Sequence, residues 1–197
     1  MSTWKKAVGL GVIALGLMFV GTKKAGAVAT TQDILVTVTV DLISVSVGSA
    51  TWDIGTGVSV SDVRISSRIP VTNDGNVLET YSLSINDGGS VWDNNDAIDT
   101  VGTDVYAMLA LFTTTSIGSL LDSHFSADAG DTDDLITTGG TAATASNFAR
   151  AAEDTTVKGL SIPTTEVRSL YLNFRSPSTN TQSAEQNMTV TVTAAAS

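Results

Sequence analysis

The chain of 197 residues is 42% hydrophobic and 15% charged, enough for one domain with a sizeable core. Thr, Ser, Val, Gly and Asp outweigh the helix formers Glu and Lys, which favours strands joined by turns. Ten basic residues face twenty acidic ones and there is no cysteine, so nucleic acid is excluded as a partner and disulfide staples and thiolate metal sites are ruled out.

Lys5-Lys6, the apolar residues 7–21 and the small-residue triplet Ala25-Gly26-Ala27 read as the n-region, h-region and cleavage site of a secretory signal peptide, residues 1–27. The apolar run is shorter than the roughly 20 residues that span a bilayer, so no membrane attachment is expected after cleavage, although Lys23-Lys24 sit unusually close to the cleavage site. Removing those four lysines leaves six basic residues against twenty acidic ones, a net charge of −14 on a single domain of residues 28–197. Such a protein is expected to be secreted, in the medium or at the cell surface.

Residues 34–47 read as two strands in tandem. Val36, Val38, Val40 and Leu42 share one face, then Ile43, Val45 and Val47 continue in the opposite phase, so a bulge or a crossing between sheets is expected near residues 41–43. Trp52 follows in a turn-rich passage, where it reads as a core plug or, alternatively, as a sugar-stacking platform. Val58 and Val60, then Val63 and Ile65, suggest short strands. Residues 69–85 carry the clearest pattern: Ile69 and Val71 lead into Asn73-Asp74-Gly75-Asn76, and Val77, Tyr81, Leu83 and Ile85 alternate with Leu78, Thr80, Ser82 and Ser84, which predicts a β-hairpin.

Asn86-Asp87-Gly88-Gly89-Ser90 is a second turn, and residues 105–112, apolar on both faces, read as a strand buried between layers. Residues 113–160 lack a period and are expected to be long surface loops with small helices. Alternation resumes from Glu166 through Leu170, Leu172 and Phe174, and residues 188–193 give a last strand whose Val-Thr repeat matches that of the first. These runs predict an all-β fold, a β-sandwich of jelly-roll or Ig-like type with loop-rich insertions.

Chemistry is thinly signalled. The only histidine, His124, follows Asp122-Ser123 without a Gly-x-Ser-x-Gly elbow and reads as a surface or capping residue. Glu79 and Glu166 fall in or beside strands, at what read as solvent-facing positions, so a hydrolytic carboxylate pair is not expected and the protein reads as a non-enzyme. Two acidic loops, one with Asp93, Asp96 and Asp99 and one with Asp128, Asp131 and Asp133, carry the hard oxygen donors that calcium takes, though neither follows the EF-hand spacing. With Trp52 and Trp92 they would form a calcium-dependent carbohydrate-binding site, the alternative to a structural role. Asn187-Met188-Thr189 is a formal N-glycosylation sequon.

Val71-Thr72-Asn73-Asp74-Gly75-Asn76, followed by Glu79-Thr80-Tyr81-Ser82-Leu83, resembles a hairpin of Ig-like domains in prokaryotic cell-surface proteins. The wider layout, a Lys-Lys leader, a Val-Thr strand and one acidic cysteine-free β-domain, is similar to the TasA/camelysin-like matrix fibre proteins and to archaeal bundling pilins. That resemblance implies a jelly roll whose N-terminal strand inserts into the next subunit. The peptidase role described for camelysin-like proteins does not carry over, because no zinc-binding helix is present. Independently of the name, residues 28–41 are β-prone with an apolar face, so Ile34, Val36, Val38 and Val40 are the expected subunit interface of a homopolymer, and folding back as an edge strand is the alternative.

Overall fold

The computed structural model describes residues 40–48, 51–96, 101–125, 134–144, 147–148, 159–181 and 184–197. The described residues fall within one compact unit, Val40–Ser197. The expected signal peptide and most of the N-terminal strand, with Ile34, Val36 and Val38, lie outside the described residues. No helix among the described residues is long and apolar enough to cross a membrane.

Nine strands form among the described residues: β1 (Val45–Val47), β2 (Val63–Ile65), β3 (Ile69–Asn73), β4 (Glu79–Asn86), β5 (Asp93–Asn94), β6 (Val105–Thr113), β7 (Thr141–Ala142), β8 (Val167–Arg175) and β9 (Thr189–Ala196). They build an all-β sandwich. The larger sheet runs β1-β3-β8-β6-β5, with β2 also paired to β8, and the smaller runs β7-β4-β9. β4 and β9 pair antiparallel from Glu79 opposite Ala196 to Asn86 opposite Thr189.

The alternation in residues 69–86 is real, but the hairpin is not. β3 belongs to the larger sheet, between β1 and β8, and β4 to the smaller, between β7 and β9, so the Asn-Asp-Gly-Asn passage carries the chain from one layer to the other. The physical reason is that both strands need the same apolar core between them. Ile69 and Val71 face it from one sheet, and Tyr81, Leu83 and Ile85 from the other. Side-by-side pairing would leave the core with one wall.

β6 and β8 are buried on both faces. Met108, Phe112, Leu170, Leu172 and Phe174 point into the space between the sheets, while Leu109, Leu111 and Tyr171 pack on the far side against Phe125 and Leu135. The aperiodic region after β6 is therefore not only surface: it supplies a cover for the outer face of the larger sheet. The Ile117 N–H donates to the Tyr171 hydroxyl at 2.8 Å, and Asp122 accepts from Asn173 Nδ2 at 2.6 Å and Arg175 Nε at 3.0 Å, which fastens this cover to β8.

Other expectations shift locally. Residues 58–60 form no strand, and within residues 40–47 only β1 is regular, the chain before it being held by side chains. The turn at residues 86–90 forms as expected: Gly88 and Gly89 take positive φ, and the Gly88 N–H donates to Asn86 Oδ1 at 2.7 Å. Of the small helices expected in 113–160, a 3₁₀ turn at Asp122–His124 falls among the described residues.

Phe112 lies at the centre, its ring 5.7 Å from Tyr81 and edge-on to Phe148 at 6.3 Å. Phe112→Ala should cost about 3–5 kcal/mol of unfolding free energy, read as a lowered urea midpoint with an unchanged denaturant slope.

Candidate strand-anchoring site and apolar cleft

The polar residues between β3 and β4 converge on the chain just before β1. The Asn73 side chain is fully buried: its Oδ1 accepts from the Gly75 N–H at 2.8 Å, and its Nδ2 donates to the carbonyls of Val77 and Ile162, each at 2.9 Å. These bonds shape the crossing. Asn76 then acts as a substitute strand. Its main-chain N–H donates to the Leu42 carbonyl at 3.0 Å, its Oδ1 accepts from the Leu42 N–H at 2.6 Å, and its Nδ2 donates to the Val40 carbonyl at 2.8 Å. The Asp74 N–H donates to the Ser44 carbonyl at 2.8 Å, and Glu79 Oε1 accepts from the Ser44 N–H at 2.7 Å. A segment with no regular strand thus has its alternate peptide groups satisfied by one loop.

Gly75 is required by this closeness. A Cβ there would stand 2.3 Å from the Leu42 carbonyl oxygen and 2.5 Å from Glu79 Oε1. Glu79 itself is fully buried, a correction to the solvent-facing position expected from its charge. Its place in β4 puts it on the same face as Tyr81, Leu83 and Ile85, and one oxygen is used to hold Ser44 while Oε2 is left without a partner. Burial, and next the negative charge of Glu79, raise the pKa of Tyr81, whose hydroxyl is likewise unpartnered; Arg168 opposes the shift. Glu166 is partly exposed and ion-paired to Arg168. The two glutamates are therefore engaged in structure.

The two long sides of the sandwich differ. On one, residues 134–143 lace the sheets together. The Ala110 N–H donates to the Asp134 carbonyl and the Ile136 N–H to the Met108 carbonyl, each at 2.8 Å, after which the Ile85 N–H donates to the Thr137 carbonyl at 3.2 Å and β7 pairs with β4. On the other side stand β1 and β9, each an edge strand among the described residues. Between them opens a cleft of about 280 Å³, walled by Val47, Met188, Val190 and Val192 and floored by Met108 and Leu170. Trp52 and Ile54 also line it. Trp92 stacks on Phe174 at 6.1 Å, with its Nε1 donating to Asn180 Oδ1 at 3.1 Å. Both indoles are half-buried and pack against the core.

Of the expected interface residues, Val40 alone is described; it is 75% exposed, with its carbonyl held by Asn76. Of the expected calcium ligands, Asp93 and Asp96 are described, while Asp99, Asp128, Asp131 and Asp133 lie outside the described residues. Asp96 serves as a turn cap, accepting from the Thr138 N–H at 2.8 Å, from the Thr138 hydroxyl and from Asn94 Nδ2 at 2.7 Å. Asp104 likewise accepts from the Thr181 N–H at 2.8 Å and from its hydroxyl. Among the described residues no three His, Asp or Glu side chains come close enough to hold a metal ion. His124 caps its own 3₁₀ turn, accepting from the Leu121 N–H at 3.0 Å through Nδ1, and Asp122 is committed to Arg175 and Asn173, so no Ser-His-Asp relay forms there.

No family model matches the chain, and no curated protein and no solved structure matches it either.

Asn76→Ala removes both side-chain bonds to residues 40 and 42. We expect faster cleavage by elastase around Val40 and Leu42 with little change in melting temperature, since the site is exposed; Gly75→Ala should instead cost about 1–3 kcal/mol by overpacking, read in thermal melts. For Asp96, partial burial raises the pKa, but the three donors outweigh it and hold the carboxyl below the ordinary range. Its contribution is present above the unfolded value of about 3.9 and is lost as the pH falls through the lowered folded one. Asp96→Asn should therefore melt lower at neutral pH and lose less stability than the wild type on acidification below pH ~4, followed by circular dichroism.

Proposed function

We propose that the protein is a secreted, non-enzymatic structural subunit that assembles into an extracellular filament or surface matrix by β-strand donation, residues 34–40 of one copy seating in the cleft of the next. The observation that carries this reading is the asymmetry of the sandwich: one side is laced by residues 134–143, while the other leaves an apolar cleft between two strand edges. An extended segment with apolar side chains on one face suits such a cleft. Its main chain would add to the β9 edge and Val36 and Val38 would fill the space above Met108 and Leu170. A head-to-tail contact of this kind does not close on itself and so propagates into a filament. The anchoring of residues 40–44 by Asn76 and Glu79 supports the same reading, because it fixes where the donated segment leaves its own subunit.

The absence of native cysteine makes the test clean. Val190→Cys combined with Val36→Cys or Val38→Cys should give, on mild oxidation, a ladder of disulfide-linked oligomers on non-reducing gels and filaments by electron microscopy. Deletion of residues 28–41 should abolish both. Cross-linking confined to monomers would instead mean that the segment fills its own cleft.

A further inference from the structure

We infer that Asn187 is the acceptor of an N-linked glycan carried on the outer face of the smaller sheet. The inference rests on the export that the structural reading includes. Asn187-Met188-Thr189 is the one Asn-x-Ser/Thr triplet in the chain, and its middle residue is not proline. A triplet alone decides little; its setting decides more.

The three residues lie where β9 begins, in extended chain whose side chains alternate between inside and outside. Gln186 is turned to the turn at residues 86–90, its Oε1 accepting from the Ser90 hydroxyl at 2.6 Å and from the Val91 N–H at 3.0 Å. Met188 packs into the core at the cleft wall. Asn187 and Thr189 are both exposed, and the Asn187 carboxamide is engaged by none of the described residues. The neighbouring turn backs onto the main chain of Asn187 and not its side chain: a Cβ on Gly88 would stand 3.0 Å from the Asn187 carbonyl oxygen, and Gly88 has a φ of +62°. Among the described residues no hydrogen bond is lost when a large group is attached at Asn187 Nδ2.

The surface beside it suits a sugar. Across the β4–β9 ladder Thr189 faces Asn86, Thr191 faces Ser84 and Thr193 faces Ser82, a patch of hydroxyls and one amide without charge in a chain of net charge −10. A neutral oligosaccharide laid along these pairs meets hydrogen-bonding groups and none of their side chains is an ion that must be desolvated. Met188, Val190 and Val192 of the same stretch line the cleft, whereas the Asn187 side chain alternates away from them.

The co-reactant is a polyprenyl-phosphate-linked oligosaccharide, presented by the transferase of the exporting membrane. Asn187 Nδ2 forms a bond to the anomeric carbon, the carbon–oxygen bond to the lipid phosphate breaks with its electron pair leaving on that phosphate, and one amide proton passes to a base of the transferase. No oxidant or reductant is involved. Thr189 supplies the hydroxyl that the transferase reads two residues on.

The test is mass spectrometry of the protein recovered from the exported fraction of the cells that make it. Arg175 is the last basic residue, so trypsin releases residues 176–197 as one peptide with the triplet inside it. The expected result is a series of hexose or N-acetylhexosamine additions, placed on Asn187 by fragmentation. These should be lost in Asn187→Gln and Thr189→Ala and retained in Thr189→Ser expressed in the same cells. An unmodified peptide from exported protein overturns the site and leaves the structural role standing. Protein confined to the cell interior overturns the export on which both depend.

Discussion

The buried carboxamide of Asn73 is the constraint on which the rest of the fold depends. It sits at the end of β3, where the chain must leave one sheet and join the other, and it answers three main-chain groups in a place water does not reach. Without it the Val77 carbonyl and the Gly75 N–H would lose their partner, at a cost of about 1–3 kcal/mol for a group left buried and unpaired, and the Ile162 carbonyl would keep only the Glu79 N–H at 3.1 Å. Because the crossing is fixed, Glu79 arrives at the start of β4 with its side chain inside, within reach of Ser44. Through that contact the arrival of the N-terminal segment is tied to the relation of the two sheets. The unpartnered Oε2 of Glu79 is the visible cost of this arrangement.

From the same crossing follows the division of labour between the two sides of the sandwich. Residues 134–143 bond to β6 and then to β4, so on that side the layers are joined by main chain. Opposite, β1 is three residues long while β9 runs for eight, and the unequal edges leave apolar side chains facing a gap. The protein has no cysteine to cover such a defect covalently. The sandwich is laced by main chain on one side and carries an apolar cleft on the other.

Much of this fold was legible in the sequence, and the failures have physical causes. β4 and β9 announce themselves because their burial repeats with the period of the strand, and β6 because its residues are apolar on both faces between turn signals. The same period places Glu79 on the apolar face with Tyr81 and Leu83; only its charge argued for water, and the charge is held by a backbone N–H from a residue 35 positions earlier. The turn chemistry of residues 73–76 was read correctly as chemistry and wrongly as a hairpin, since the bonds that make it a crossing reach Ile162, 89 positions away, and Leu42, 34 positions away. No local pattern contains those partners. Asp96 illustrates the converse: in the sequence it is one acid in a row, and its bonds to Thr138 lie 42 positions away. The outer cover of β6 and β8 was invisible for a third reason, because Phe125 and the pair Leu135-Ile136 are short apolar islands in aperiodic chain.

The pairing of β4 with β9 has a consequence in time. β4 is synthesised long before β9, and until Thr189–Ala196 emerges its inner face of Tyr81, Leu83 and Ile85 lacks the neighbour that completes the smaller sheet. Pairings so distant in sequence form late, after the local ones. Since β9 is also one wall of the cleft, the cleft is incomplete until β9 has paired with β4. A chain truncated before β9 therefore lacks both the partner of β4 and one wall of the cleft.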